Sequence, residues 1–263
     1  PVPVDLDKKT LAPNLDSLRR AVSDKTRMIL VAHLSGTRFS MEPIIELAHE
    51  RGILVVEDCA QAYDNGHYRG HPESDVAMFS FGAIKTATAL GGGIFRIRDR
   101  QLFEQMHAVH SEYPSQGRFK YLWRLMKYSV LKASSRHLPL QLYLLWCRVR
   151  GRDYDELINS MAKGFPGDAF FQKIRHQPSV PLIGLIRRRL LKYPEERLAK
   201  RTRKGCMLRE RISQVATCPG GDAKNHSFWV FPVYTHDPRG LIDYLAKAGF
   251  DATQGNSMHV IPA

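Results

Sequence analysis

The chain has 263 residues, 43% hydrophobic and 10% aromatic, enough to bury a sizeable core and too apolar for a disordered polypeptide. Its 39 Lys and Arg against 26 Asp and Glu leave a formal charge of +13, which favours anionic partners without choosing among phosphorylated metabolites, nucleic acid and an acidic membrane surface. The opening residues carry no signal-peptide pattern, no apolar run reaches the roughly 18 residues needed to span a bilayer, and the cysteines at 59, 147, 206 and 218 show no CxxC pair or metal-ligand spacing, so reduced thiols of a cytosolic protein and no metal are expected.

The opening PVPVDLD reads as an extended segment already inside a fold, and the closing SMHVIPA stops without a capping helix, so a fragment cut at both ends is expected. Arg27 to His33 (RMILVAH) is a short apolar run bounded by polar residues, the pattern of a buried parallel strand. Glu42 to Arg51 (EPIIELAHER) has apolar residues at helical spacing, with Pro43 suited to a first turn and Gly52 to the helix end. Strands are predicted at Ile53 to Val56, Asp75 to Phe81 and Gly93 to Ile97. Strands alternating with helical segments argue for an α/β domain with a largely parallel sheet flanked by helices.

In such sheets ligands bind beyond the carboxyl ends of the strands, which is where Asp58 falls. A carboxylate there serves equally well as a helix cap or turn residue. Lys85 follows the third strand by a few residues and precedes Gly91, Gly92 and Gly93, which let the backbone turn tightly beside a bound group. A lysine amine forms a Schiff base with an aldehyde where the site suppresses its charge; otherwise it is an ordinary solvated surface lysine. A carboxylate and a lysine at neighbouring strand ends are the two protein groups that pyridoxal phosphate chemistry requires. The carboxylate keeps the pyridine nitrogen protonated, and the lysine holds the aldehyde and then moves protons.

The ordered set Glu57-Asp58-Cys59-Ala60-Gln61-Ala62, then Phe79-Ser80-Phe81, then Lys85 five residues beyond the serine, resembles the DegT/DnrJ/EryC1/StrS family of sugar aminotransferases. Val31 to Gly36 and Met41-Glu42-Pro43-Ile44 are similar to that family's preceding strand and helix. The resemblance implies a pyridoxal-phosphate enzyme of the aspartate aminotransferase fold, fold type I, with part of a small α/β C-terminal domain. It implies that Asp58 pairs with the pyridine nitrogen, Gln61 approaches the phenolic oxygen, Ser80 bonds the phosphate and Lys85 forms the Schiff base. It also implies a homodimer and transfer of an amine, commonly from glutamate, to a nucleotide-linked keto sugar in polysaccharide or amino-sugar biosynthesis. Gln61 and Ser80 have plainer readings, as a helix-surface polar residue and a backbone-satisfied hydroxyl, and His33 is equally a structural histidine. Members with histidine in place of the lysine are dehydratases, the alternative reaction on this scaffold.

Two departures stand out. Leu90-Gly91-Gly92-Gly93 lacks the acidic residue usual in the family's glycine turn, and Arg175-His176-Gln177-Pro178-Ser179 keeps only the arginine of a segment that reaches a partner subunit's site. The resemblance covers residues 1–112 and, more loosely, 165–263. The family's N-terminal phosphate-gripping turn and ring-stacking residue are not in this sequence.

Residues 117–152 alternate Lys and Arg with Tyr, Leu, Trp and Val, and Ser134-Ser135 and Pro139 divide them into two predicted helices. Tyr121, Leu122, Leu125, Met126 and Val130 are predicted to share a face. Three readings stand: an inserted helical hairpin packed on the large domain or a subunit interface, an amphipathic helix on anionic lipid, and a nucleic-acid surface. No recognised nucleic-acid module accompanies these residues, so nucleic acid is not among the expected partners. The lipid reading supports the rival to an enzyme, a basic peripheral-membrane or scaffolding protein on a borrowed fold. Pro194 to Ile212 reads as a long solvated helix, Ser227 to Tyr234 (SFWVFPVY) as a strand interrupted by Pro232, and Asp237 to Ala248 as a helix with an Asp-Pro start. His259 lies where the family often has a histidine, with no role assigned. The expected organisation is thus an incomplete cofactor-binding domain at 1–116, a basic helical insertion at 117–165, linking helices at 166–213 and part of a small C-terminal domain at 214–263. The protein is expected in the cytoplasm, with membrane association left open.

Overall fold

The computed structural model describes residues 1–134 and 170–254. Helix α1 (Leu15–Ala21) starts at Asn14, whose side chain accepts from the Ser17 N–H, as a helix N-cap does. Strand β1 (Met28–Ala32) leads into a 3₁₀ turn at Leu34–Gly36 and the two-residue β2 (Thr37–Arg38). Helix α2 (Glu42–His49) carries Pro43 in its first turn and is followed by β3 (Leu54–Asp58). Strands β1 and β3 pair in parallel, from Met28 opposite Leu54 to Ala32 opposite Asp58.

Alternation sends Ile29, Val31 and Val55 to one face, where with Leu18, Val22, Ile44, Ile45, Ala48 and Ile53 they form the core. The expected fold class therefore stands: parallel pairing, joined through a helix, in a sheet of order β1-β3-β4-β5, with β4 at Val76–Ser80 and β5 at Gly93–Ile97.

The chain divides into two compact units, residues 1–77 with 194 onward, and residues 78–193. The first unit also holds α7 (Glu195–Ile212), β6 (Asn225–His226) and α8 (Pro238–Lys247). Strand β6 pairs antiparallel with β2. Gly205 on α7 is where Phe228 packs, and a Cβ there would lie 2.2 Å from its ring. The strand expected over Ser227 to Tyr234 is absent, and pairing ends at His226. Phe228 adopts φ 48, outside the extended region, and Pro232 removes a donor.

The second unit continues from β4 through β5 to α3 (Arg100–Ser111), α4 (Arg118–Ser134), α5 (Phe170–Ile174) and α6 (Val180–Leu191). Helix α4 packs on α6. The first helix expected in the 117–152 segment is α4; the second, the end of the insertion at 165, and His259 lie outside the described residues.

Candidate active site

Asp58 and Gln61 belong to the first unit, Ser80 and Lys85 to the second. Asp58 ends β3, where its carbonyl accepts from the His33 N–H at 3.0 Å and holds the strand end in the sheet. Its Oδ1 accepts from the Ala60 N–H at 2.8 Å, an Asx-type turn that fixes the side chain. A carboxylate offers about four lone-pair directions, so acceptor capacity remains at this half-buried position. Gln61 accepts from the Ser35 N–H at 2.7 Å through Oε1. With its carbonyl fixed as acceptor, Gln61 presents its NH2 group as donor elsewhere. Ser35 sits at a left-handed kink, φ 57, inside the turn that follows β1.

Beneath this strand end lies a hydrogen-bonded knot that sequence reasoning did not anticipate. Glu57 is fully buried and receives His33 Nε2 at 2.9 Å, the Tyr68 hydroxyl, and the His71 backbone N–H at 2.6 Å. Burial alone would raise this carboxyl; hydrogen bonds from His33, Ser74, Tyr68 and the His71 N–H together outweigh it and hold the group down at about 2. The knot continues through Arg38, which lies 2.8 Å from Asp64 and over the Tyr68 ring. His33 is thus a structural histidine, packed against Phe39 and Tyr68.

His33, Glu57 and Cys59 also bring metal-ligating atoms within 4.8 Å of one another, a grouping invisible to linear spacing because two strands supply it. These donors are otherwise committed. Burial and the neighbouring Glu57 and Asp58 charges push the Cys59 thiol up, away from the thiolate a metal binds, and Glu57 is already occupied by its hydrogen-bond donors.

In the second unit, the loop after β4 folds back on Phe81: its N–H donates to the Gly92 carbonyl, while its carbonyl accepts from the Ala89 and Gly91 N–H groups. That closure requires left-handed backbone at Leu90, φ 63, and Gly92, φ 77. Within the loop the Lys85 N–H donates to the Gly82 carbonyl at 3.1 Å, and the Gly82 N–H donates to Ser80 Oγ at 3.4 Å. A Cβ on Gly82 would meet both Ser80 Oγ and Lys85 Cγ at 3.6 Å, so the hydroxyl and the lysine side chain flank one glycine. Ser80 Oγ accepts there and keeps its proton to donate.

Three side chains grip the far side of this loop. The Tyr121 hydroxyl donates to the Ala89 carbonyl at 2.9 Å, Arg124 Nη1 to the Leu90 carbonyl at 3.1 Å and Arg189 Nε to the Thr88 carbonyl at 2.8 Å. The Arg175–Ser179 segment is also anchored within its own unit. Gln177 exchanges backbone hydrogen bonds with Pro114 and Gln116, and its Nε2 donates to the Ser111 and Tyr113 carbonyls.

Residues 1–130 match the model of the DegT/DnrJ/EryC1/StrS aminotransferase family. Over 123 residues the chain is 35% identical to a GDP-perosamine synthase of Escherichia coli O157:H7, covering 43% of this chain and 34% of that one. Over 104 residues it is 33% identical to a UDP-4-amino-4-deoxy-L-arabinose–oxoglutarate aminotransferase of Shewanella sediminis, covering 39% and 26%. The chain thus spans about a third or less of the length of these curated relatives. Among solved structures, a sugar aminotransferase from Micromonospora echinospora superposes with a TM-score of 0.58 at 22% identity, over 94% of this chain and 58% of that one. An aminotransferase from Psychrobacter cryohalolentis gives 0.60 at 20% identity, over 94% and 59%. These likenesses establish the fold, the one that these solved aminotransferases share.

Proposed function

We propose that this chain carries the cofactor-binding segment of a pyridoxal-phosphate-dependent sugar aminotransferase, with Asp58, Gln61, Ser80 and Lys85 as its cofactor-binding residues. The observation that carries the reading is complementarity of donors and acceptors. Asp58 keeps acceptor capacity beyond its Ala60 bond, Gln61 has its carbonyl occupied and its amide free to donate, and Ser80 accepts from Gly82 and keeps its proton. A pyridine N–H, a phenolic oxygen and a phosphate need those three capacities in that order, and an aldehyde needs an amine.

When bound, pyridoxal 5′-phosphate supplies an electron-accepting ring and an aldehyde that condenses with amines. Asp58 would accept the hydrogen bond of the pyridine N–H and so keep that proton in place. Gln61 would donate to the phenolic oxygen and Ser80 to a phosphate oxygen. Lys85 Nζ would take the proton from the carbon bearing the donor's amine and return one to the acceptor carbon, as general base and then acid. A lysine at 85 favours amine transfer over dehydration. The curated relatives are named for nucleotide-linked sugars, GDP-perosamine in one and UDP-4-amino-4-deoxy-L-arabinose in the other, which supports a nucleotide-linked keto sugar as acceptor, and the oxoglutarate in the second name supports glutamate as donor.

A homodimer in the cytoplasm completes the reading. The family resemblance supports the dimer, and the unpaired thiols of Cys59, Cys206 and Cys218 suit a reducing compartment. The test is cofactor capture by the full-length enzyme. Borohydride should fix pyridoxal phosphate covalently on the peptide bearing Lys85, and Lys85→Ala should abolish this labelling and lower transamination by about 10²–10⁴-fold. Labelling that persists in Lys85→Ala, or a wild-type protein that stays colourless with excess cofactor, overturns the reading.

A further inference from the structure

Helix α4 has two contrasting faces. The inner one carries Tyr121 and Arg124, which grip the carbonyls of the lysine loop. Half a turn away, Phe119, Leu122, Trp123 and Met126 stand 87, 50, 70 and 51% exposed. The spacing i, i+3, i+4, i+7 puts these four side chains on one stripe. Single exposed apolar residues need no explanation; a stripe containing an almost fully exposed phenylalanine and a tryptophan does. The neighbouring α6 adds exposed Val180, Ile183 and Leu191.

The charges around these faces have one sign. Helix α4 carries Arg118, Lys120, Arg124, Lys127 and Lys132, and α6 with its end carries Arg187, Arg188, Arg189 and Lys192. Among the described residues from Tyr113 to Tyr193 there is no Asp or Glu. Lys120 and Lys127 lie one turn-pair apart along one edge of the stripe, and Arg118 borders the other. No helix of the described residues is long and apolar enough to cross a membrane, so this surface would rest on a bilayer without spanning it.

From this stripe and its charge pattern we infer that the outer face of α4, with the exposed residues of the neighbouring α6, docks on an anionic lipid surface. An interfacial helix combines an apolar stripe reaching the acyl boundary with cations that meet lipid phosphates. A second copy of the same face would set cation against cation. Nucleic acid would match the charge and leave Leu122 and Met126, which have no base-stacking capacity, unexplained.

The test is cosedimentation of the full-length protein with vesicles of phosphatidylcholine, with and without phosphatidylglycerol. Binding should require phosphatidylglycerol and fall when salt is raised from about 0.1 M to about 1 M, as the Debye length shrinks from about 10 to about 3 Å. Phe119→Glu combined with Trp123→Glu should weaken binding about tenfold or more and leave the thermal unfolding midpoint in place, because both side chains are exposed. A Trp123→Tyr variant should retain binding. Equal partition onto pure phosphatidylcholine, indifference to the double substitution, a switch in oligomeric state caused by that substitution, or RNA binding that it abolishes while vesicle binding persists would each overturn the inference. None of these outcomes depends on aminotransferase activity.

Discussion

The end of β3 and the loop carrying Lys85 are held by opposite means. At β3 the fastening is a buried charge: Glu57 gathers a histidine, a tyrosine hydroxyl and a backbone N–H around one carboxylate. At Lys85 it is a set of backbone carbonyls, at Thr88, Ala89 and Leu90, each taken by a side chain from α4 or α6. The contrast teaches where each region is fragile. A buried carboxylate concentrates its contribution in one residue and makes it pH-dependent, whereas three donors on three carbonyls share the load and leave it insensitive to acid.

Removing Glu57 should therefore be the most damaging single change. Glu57→Leu leaves His33 Nε2, the Tyr68 hydroxyl and the His71 N–H without their acceptor inside the fold, and breaking a buried hydrogen-bonded charge costs about 3–5 kcal/mol. Urea unfolding of the variant checks this; a loss near that of an ordinary surface substitution, about 0.5 kcal/mol, would mean the knot is not what holds the strand end.

Acid should expose the same asymmetry. Glu57 is held at about 2 in the folded protein against an ordinary 4.5, so the unfolded chain binds more protons between those values. Its contribution is complete above 4.5 and is lost as pH falls toward 2. His226 adds a second window. Burial, then the positive Arg209 and Arg201, lower it from 6.5 to about 4, and its neutral ring stacks 3.9 Å from Phe228 while Nδ1 accepts from the Phe228 N–H. The unfolded chain again binds the extra proton, so stability present above 6.5 declines as pH falls toward 4. Stability measured against pH should thus fall in two steps, and Glu57→Gln should flatten only the lower one.

Much of this was legible in the linear sequence, and the failures have physical causes. Strands β1, β3, β4 and β5 and helices α2, α7 and α8 lie within a few residues of their expected bounds, because Val/Ile runs, Pro starts and Gly stops are local signals. Helix α1, seven residues with only Leu18 buried, and α3, which buries none of its residues, carry too little periodicity to be recognised. The strand anticipated at Ser227 to Tyr234 has a suitable composition and fails where Phe228 is left-handed, its ring packed on Gly205. Asp58, Gln61, Ser80 and Lys85 stand out as candidates because they sit in short ordered motifs. Tyr121, Arg124 and Arg189 were not assigned to this loop, since their partners are carbonyls 32, 34 and 101 residues away, and a carbonyl leaves no mark on residue identity.

The smallest expected effect falls on that distributed grip. Tyr121→Phe keeps the buried ring and removes only the hydroxyl that donates to the Ala89 carbonyl, which should cost about 1–2 kcal/mol. Burial is the main reason the Tyr121 phenol titrates above its usual range, so the donated proton stays in place at neutral and mildly alkaline pH. The loss should be flat from pH 5 to 8, unlike that of Glu57→Gln at lower pH. Hydrogen exchange at the Ala89 and Gly91 amides, both bonded to the Phe81 carbonyl, should accelerate in Tyr121→Phe while the Val31 and Val55 amides of the first unit's core remain protected. Faster exchange throughout both units would instead mean that the hydroxyl supports global stability, and that the Lys85 loop has no separate fastening.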